Sequence, residues 1–188
     1  MRFGFLVLMA LLLNACSILP EKPAPDIYSL AQMQHLQNQK SWRLEGRLSL
    51  VNEKDSISAA INWRHQPEND QIELTGPLSQ GRVVITVTPG GVKVDDGDTP
   101  HEYQGDVNTV VSLQLGVDMP VTALRFWVLG VNDPDWPVVE QVGGFDQQGW
   151  LIRYKEMQGS GSGLLPKKIS AEKEKTRIKL IVDQWGMS

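Results

Sequence analysis

The sequence predicts a mainly β protein: an antiparallel sheet curled round an interior, as a barrel or part of one, with two or three short helices covering an open side. Three observations predict it. Most of the chain from Trp42 onward alternates apolar and polar residues with a period of two. Turn-forming clusters such as "NEKD", "DQQG" and "EKEK" interrupt that alternation at short intervals. Glycines fall at positions where a curling strand has to bend.

The first residues do not belong to that pattern. "MRFGFLVLMALLLNAC" has one positive charge at Arg2, an unbroken apolar run from Phe3 to Leu13 and the small residue Ala15 before Cys16. That is the layout of a secretory leader, and it is too short for a membrane span, which needs roughly 20 apolar residues. Leu13-Asn14-Ala15-Cys16 also resembles the bacterial lipobox, which implies cleavage before Cys16 and acylation of that cysteine. Cys16 is the only cysteine, so it forms no internal disulfide. Ser17 is not the aspartate that retains lipoproteins in the inner membrane, so the resemblance implies the periplasmic face of the outer membrane. Residues 1–15 are therefore read as a lipoprotein signal peptide. Residues 16–25 carry Pro20, Pro23 and Pro25 and read as an extended, lipidated tether. Residues 26–188 are one domain's worth of chain.

The domain opens with "DIYSLAQMQHLQNQK", read as one amphipathic helix with Asp26 as its cap. In "WRLEGRLSLV" the period changes: Trp42, Leu44, Leu48 and Leu50 alternate with polar residues, and Gly46 falls on the apolar face. "SISAAINWRH" repeats the alternation. Further strands are expected over Gln71–Thr75, Arg82–Thr88, Gly91–Asp95, a short piece around Tyr103, Trp150–Met157, Leu164–Ala171 and Arg177–Trp185. Two more short helices are expected between them. "DVNTVVSLQLG" ends at Gly116, and "PVTALRFWVLG" starts after Pro120 and ends at Gly130.

The usual catalytic constellations are missing, and no enzymatic activity is expected. His35, His65 and His101 lie far apart without metal-ligand spacing and read as surface residues. "GSGSG" has Gly161 where a nucleophile elbow needs serine, so it reads as a flexible loop. Asp95, Asp96 and Asp98 in "VDDGDTP" lack a distal glutamate and read as a hairpin turn. The lysines of "PKK" and "KEK" read as a solvated hairpin. A net charge of −4 and a pI near 5.4 give no footprint for nucleic acid.

"IELTGPLSQGRVVI" sets a puzzle, because Leu78 sits among turn formers at the connection between two strands. Turn chemistry alone predicts a leucine folded back against the rim. The lipobox cysteine, "WRLEGRLSL", "INW", "LTGPLSQGRVVI", "PVTALRFWVLG", "GWLIRY", Leu165-Pro166 and "RIKLIVDQW", in that order, resemble the LolB family of outer-membrane lipoprotein receptors. The resemblance implies an unclosed antiparallel β-barrel of about eleven strands with a helical lid over an apolar cavity. It implies a monomer with no cofactor, which takes acylated lipoprotein cargo from the periplasmic carrier LolA and inserts it into the inner leaflet of the outer membrane. It also implies that Pro77-Leu78 lies on a membrane-insertion loop with the leucine exposed, although Ser79 stands where the family often has glycine.

Strand alternation then supplies the candidate cavity lining. It consists of Leu44, Leu48, Ile57, Ile61, Ile72, Leu74, Val83, Ile85, Ile152, Ile178, Leu180 and Val182, with Leu124, Trp127 and Val128 from the lid. Each of these is equally suited to ordinary core. A structural outer-membrane lipoprotein that scaffolds a protein complex, with a filled core and no lipid uptake, is the alternative.

Overall fold

The computed structural model describes residues 28–77, 81–161 and 163–187. The leader, the tether, Asp26, Ile27 and Leu78 lie outside them. Eleven antiparallel strands form one sheet: β1 (Trp42–Val51), β2 (Ser56–Gln66), β3 (Asn69–Thr75), β4 (Arg82–Thr88), β5 (Gly91–Asp95), β6 (His101–Tyr103), β7 (Val138–Gln141), β8 (Gly144–Gln147), β9 (Trp150–Ser160), β10 (Gly163–Lys173) and β11 (Thr176–Met187). Their spatial order is β6-β5-β4-β3-β2-β1-β11-β10-β9-β8-β7. Two meanders, β1 to β6 and β7 to β11, are joined by the β1–β11 pair, and β6 and β7 are unpaired edges. The barrel is unclosed.

Strand parity sorts the side chains. In β1, Trp42, Leu44, Leu48 and Leu50 are buried, whereas Arg43, Arg47 and Val51 are exposed. The register carries the same face across the sheet, with Leu48 opposite Ala59 and Leu180, and Ile72 opposite Ile85 and Trp63. One apolar inner face results.

Three register shifts interrupt this sheet, one in the β1–β11 pair and two in the β9–β10 pair, where Lys155 of β9 and a residue of β10 are each extra. Glu45 pairs with Gln184 and Gly46 with Val182, so Asp183 is the extra residue in β11. On the outer face Arg47 donates to both carboxylate oxygens of Asp183, at 2.8 and 3.2 Å. A Cβ on Gly46 would stand 2.1 Å from the Ile181 carbonyl oxygen, so only glycine lets the two backbones approach here. In β10 Lys167 is the extra residue, since Pro166 pairs with Met157 and Lys168 with Glu156. Both lysines pair with Glu156, whose carboxyl is held down to about 2, chiefly by hydrogen bonds from Lys167 and then Lys168.

Three short helices cover the inner face. The N-terminal one, α1, is confined to Leu30–Met33 and tightens into a 3-10 turn over Gln34–Leu36. The expected longer helix does not form, and Ser29 rather than Asp26 precedes its first turn. The buried residues Leu30, Met33 and Leu36 recur every three positions, a spacing that suits three residues per turn better than 3.6. Helix α2 covers Val107–Leu115, with the Asp106 carboxylate accepting from the Thr109 N–H at 2.8 Å and Gly116 ending it at φ 69°. Helix α3 covers Val121–Trp127.

Strands β7 and β8 were not expected from the sequence. At four residues each, with Val142-Gly143 between them, they are too short to show two periods of alternation. "DQQG" is accordingly less of a turn than it reads, because Gln147 ends β8. Similarly, "GSGSG" is a tight hairpin turn, with Ser160 ending β9 and Gly163 beginning β10. The loop reading of "VDDGDTP" agrees with the pairing of β5 and β6 on either side of it.

Gly46→Ala should destabilise the fold by roughly 3 kcal/mol, at the upper end for overpacking, because the obstructing atom is backbone and the sheet must part to admit a methyl group. Denaturant titration checks this. A loss below 0.5 kcal/mol would show that the bulge relaxes freely.

Candidate functional site

All twelve strand residues of the candidate lining lie on the inner face. Leu44, Leu48, Ile61, Ile72, Leu74, Ile85, Ile152, Ile178, Leu180 and Val182 are buried, and Ile57 and Val83 are partly buried against the same cluster. Leu124, Trp127 and Val128 join them from α3 and the residue after it. The structure therefore brings all fifteen together in one apolar body. Cys16 and Leu78 lie outside the described residues.

The two ends of this interior differ. Antiparallel pairing puts the β1–β2, β3–β4, β5–β6, β8–β9 and β10–β11 connections at one end of the sheet and the others at the opposite end. At the opposite end an aromatic plug forms: Trp42 lies 5.2 Å from Trp63, 5.3 Å from the His65 ring and 6.0 Å from Trp185. The Trp63 indole N–H donates to Asp70 Oδ1 at 2.8 Å, and His65 Nδ1 bonds the same oxygen at 2.8 Å. His65 is thus not the surface residue expected. The short alternating strand turns it inward, where Asp70 satisfies it. His35 and His101 are exposed as expected.

Half-buried apolar side chains lie at both ends: Val87, Tyr103, Met157 and Met187 at the plugged end, and a second set at the end that carries the β3–β4 loop. Ile57, Ala59 and Val83 are half-buried there, as are Val107 and Leu115 of α2. The base of the β3–β4 loop is closed by the Gly76 N–H donating to the Gly81 carbonyl at 3.0 Å, and Pro77 is exposed.

The helices are held unequally. Behind α3, Gln147 is buried and fully engaged. Its Oε1 accepts from the Trp127 indole N–H at 2.8 Å and from the Asp133 N–H at 2.9 Å, and its Nε2 donates to the carbonyls of Asp133 and Trp136 at 2.8 and 2.9 Å. Tyr154 donates its hydroxyl to the Trp127 carbonyl at 2.8 Å, and Tyr28, stacked on it at 4.0 Å, donates to the Gly130 carbonyl at 2.9 Å. Burial pushes both phenols up, helped by Glu140 at Tyr28 and by Tyr28 at Tyr154. Helix α2 is held by side chains that are only partly buried: Asn108 with Thr122, Ser112 Oγ accepting from the Met119 N–H, and Asn52 Nδ2 donating to the Gly116 carbonyl at 3.0 Å. Trp127 is therefore a fixed point of the cover, and α2 is its lightly tied part. Gln147, Tyr154 and Tyr28 escaped sequence reading, because their partners lie 20, 27 and 102 residues away and no local signal marks them.

Among the described residues no group of three His, Cys, Asp or Glu side chains is placed to hold a metal ion, and no helix is long and apolar enough to cross a membrane. What the arrangement can do is bury apolar matter by non-directional contact.

These features define an unclosed antiparallel barrel whose apolar interior lies under a cover of short helices. The chain belongs to the outer membrane lipoprotein LolB family, whose model matches residues 40–185. It is 30% identical to the outer-membrane lipoprotein LolB of Cellvibrio japonicus over 88% of this chain and 86% of that protein. It is 32% identical to that of Thiobacillus denitrificans over 77% of this chain and 80% of the relative. Two solved structures share the fold. A DUF1329 family protein from Desulfovibrio piger superposes with a TM-score of 0.54 at 6% identity, covering 85% of this chain and 90% of that one. A LolA superfamily protein from Nitrosomonas europaea superposes with a TM-score of 0.51 at 9% identity, covering 85% and 94%. The family is one of outer-membrane lipoproteins, lipid-anchored at that membrane, and not of enzymes.

Two outcomes follow from the anchored side of the cover. Gln147→Ala leaves the Trp127 and Asp133 N–H groups without their partner, at about 1–3 kcal/mol for each buried donor, so the melting temperature should fall by several degrees. Gln147→Glu should not rescue the loss, because its second carboxylate oxygen would face the Asp133 and Trp136 carbonyls that now accept from Nε2. Because the buried phenols titrate above their unfolded value near 10, the unfolded state sheds protons first as pH rises. Stability is then fully present below about pH 10 and declines above it. Denaturation midpoints from pH 8 to 11 check this, and Tyr154→Phe should flatten the slope.

Proposed function

We infer that this chain is a lipoprotein receptor of the outer membrane, which accepts acylated lipoproteins from the periplasmic carrier LolA and inserts them into the inner leaflet. The observation that carries the reading is the single aliphatic inner face, covered by short helices, in a member of the LolB family. Three acyl chains, at about 0.8 kcal/mol per buried methylene, hold tens of kcal/mol against release into water. Such cargo has to pass from one apolar shelter to another. An aliphatic wall suits this, since it makes no demand on the protein part of the cargo.

The fifteen inner residues are the proposed acyl contacts. Helix α2 is the part of the cover that yields, because its side-chain ties are only partly buried, whereas α3 is pinned through Trp127 by fully buried groups. Leu44, Ile72, Ile85 and Ile152 belong to one buried cluster with the helix side chains, so acyl chains enter by taking the place of helix side chains.

Cys16 is the proposed lipid anchor and Pro77-Leu78 the proposed insertion loop. The hydrogen bond between Gly76 and Gly81 closes the base of that loop. A leucine at its tip gains by entering the headgroup boundary. Twelve residues separate Cys16 from Tyr28, enough to reach roughly 40 Å when extended. The anchor therefore does not dictate which end of the barrel meets the bilayer.

The test uses purified Cys16→Ala protein, which lacks the anchor and should still take acylated cargo from the carrier. In that background Leu78→Glu should change stability by no more than about 0.5 kcal/mol and leave uptake intact, while incorporation of cargo into liposomes fails. Cargo then accumulates on the receptor. A folded Cys16→Ala protein that takes up no acylated cargo would overturn the receptor reading in favour of a scaffold. Parallel loss of stability and uptake in the Leu78 variant would return that leucine to the barrel rim.

A further inference from the structure

Beyond the β3–β4 loop, we propose that Trp136 and Leu113 are two further contacts with the phospholipid surface, and that the surface they fit is zwitterionic. The proposal deepens the receptor reading and rests on it. Both side chains are exposed, Trp136 by 53% and Leu113 by 75%.

Both stand at the end of the barrel that carries the β3–β4 loop. For Leu113 this follows from the Asn52–Gly116 hydrogen bond, which ties the C-terminus of α2 to the β1–β2 turn, with Leu113 one helical turn earlier. For Trp136 it follows from Gln147, the last residue of β8, whose Nε2 donates to the Trp136 carbonyl at 2.9 Å. Alternating strand direction from β1 through β11, β10 and β9 puts the end of β8 beside the β1–β2 turn's rim. The Trp136 backbone is thereby fixed by a buried side chain while its ring stays out in solvent.

Exposure alone does not select this end, since Val142 and Leu164 are exposed at the other. The interior selects it. The far end is plugged by the contacting rings of Trp42, Trp63 and Trp185, whereas the near end has no such cluster of three indoles among the described residues and carries the proposed insertion loop. Acyl chains leaving through the near end need lipid beside it. Trp and Leu are also the side chains suited to that depth: leucine is wholly apolar, and the tryptophan ring has an apolar body with a polar N–H that stays at the headgroups.

Charge decides the kind of lipid. The turns at this end are more acidic than basic, with Asp95, Asp96 and Asp98 around the β5–β6 loop, Glu53 and Asp55 against Lys54, and Glu174 against Lys175. Such a rim is repelled by an anionic surface, so the contact relies on apolar insertion.

The native lipidated protein, reconstituted into phosphatidylcholine–phosphatidylethanolamine vesicles containing brominated acyl chains, tests this by fluorescence. Of the six tryptophans, Trp42, Trp63, Trp127 and Trp150 are buried and Trp185 is partly so, and the difference from Trp136→Phe isolates Trp136. Its emission should shift to the blue and be quenched by the brominated lipid. Adding phosphatidylglycerol at low salt should weaken the quenching. Trp136→Glu and Leu113→Glu should each slow delivery of cargo to vesicles on the order of tenfold, with uptake and melting temperature unchanged and with delivery restored in Trp136→Phe.

Trp136 that remains open to an aqueous quencher and blind to brominated lipid overturns the proposal, as does quenching strengthened by phosphatidylglycerol. Loss of uptake rather than delivery in Leu113→Glu would also overturn it, moving Leu113 to the contact with the carrier. The quenching measurement needs no cargo, so a native protein that accepted no cargo would sink the receptor reading without touching this result.

Discussion

The pairing of β1 with β11 is the constraint on which the rest of the molecule depends. It is the seam between two meanders, each of which could form from neighbouring strands alone, and it joins residues more than a hundred positions apart. At the middle of the seam the extra residue Asp183 bends β11, Gly46 admits the approach of the backbone, and Arg47 holds the displaced carboxylate on the outer face. A flat pairing here would leave two open sheets side by side. The bent one gives a half-barrel, with an inside that is apolar because strand parity is continuous across it.

From that geometry the unequal cover follows. The inner face of an unclosed barrel cannot remain in water, so the segment between β6 and β7 must fold over it as helices. The segment's second half is tied down by a buried amide and two buried phenols, each with its hydrogen bonds satisfied, and such a network permits one arrangement only. The first half, α2, ends at a glycine and is tied by side chains that are only partly buried. Rigidity on one side and weak ties on the other are what a cover needs if it is to yield repeatedly without losing its place.

How far this was legible in the sequence depended on the range of the signal. Residues such as Leu44, Leu48, Ile72 and Ile85 could be assigned to the inner face because a period of two fixes the face once a strand is recognised. Strands β7 and β8 were too short for a period, and α1 packs at Leu30, Met33 and Leu36, a spacing that imitates a helix without sustaining one. His65 looked exposed because its partner Asp70 is met only when β2 and β3 pair. The clamp on α3 was invisible for the same reason on a longer scale, since a glutamine beside a turn reads as solvent-facing until the fold places Trp127 over it. Cys16 and Leu78 rest on family resemblance rather than on any physical signal that composition or periodicity could supply.

The filled interior bears on how a receptor of this kind could both take up and give up its cargo. Leu44, Ile72, Ile85 and Ile152 are buried in one cluster with the helix side chains, so binding exchanges one set of apolar contacts for another. The gross gain from sheltering acyl chains is tens of kcal/mol, but the net gain is that figure less the contacts given up by the displaced helix and less the ordering of the chains. A permanently open cavity would keep the whole gain and become a sink from which the chains could not leave. A cavity that must first be vacated by its own cover binds less tightly by the cost of vacating it. The bilayer asks for no such displacement and remains the lower state for the lipid. On the proposed reading, the packed core is therefore what makes transfer onward downhill.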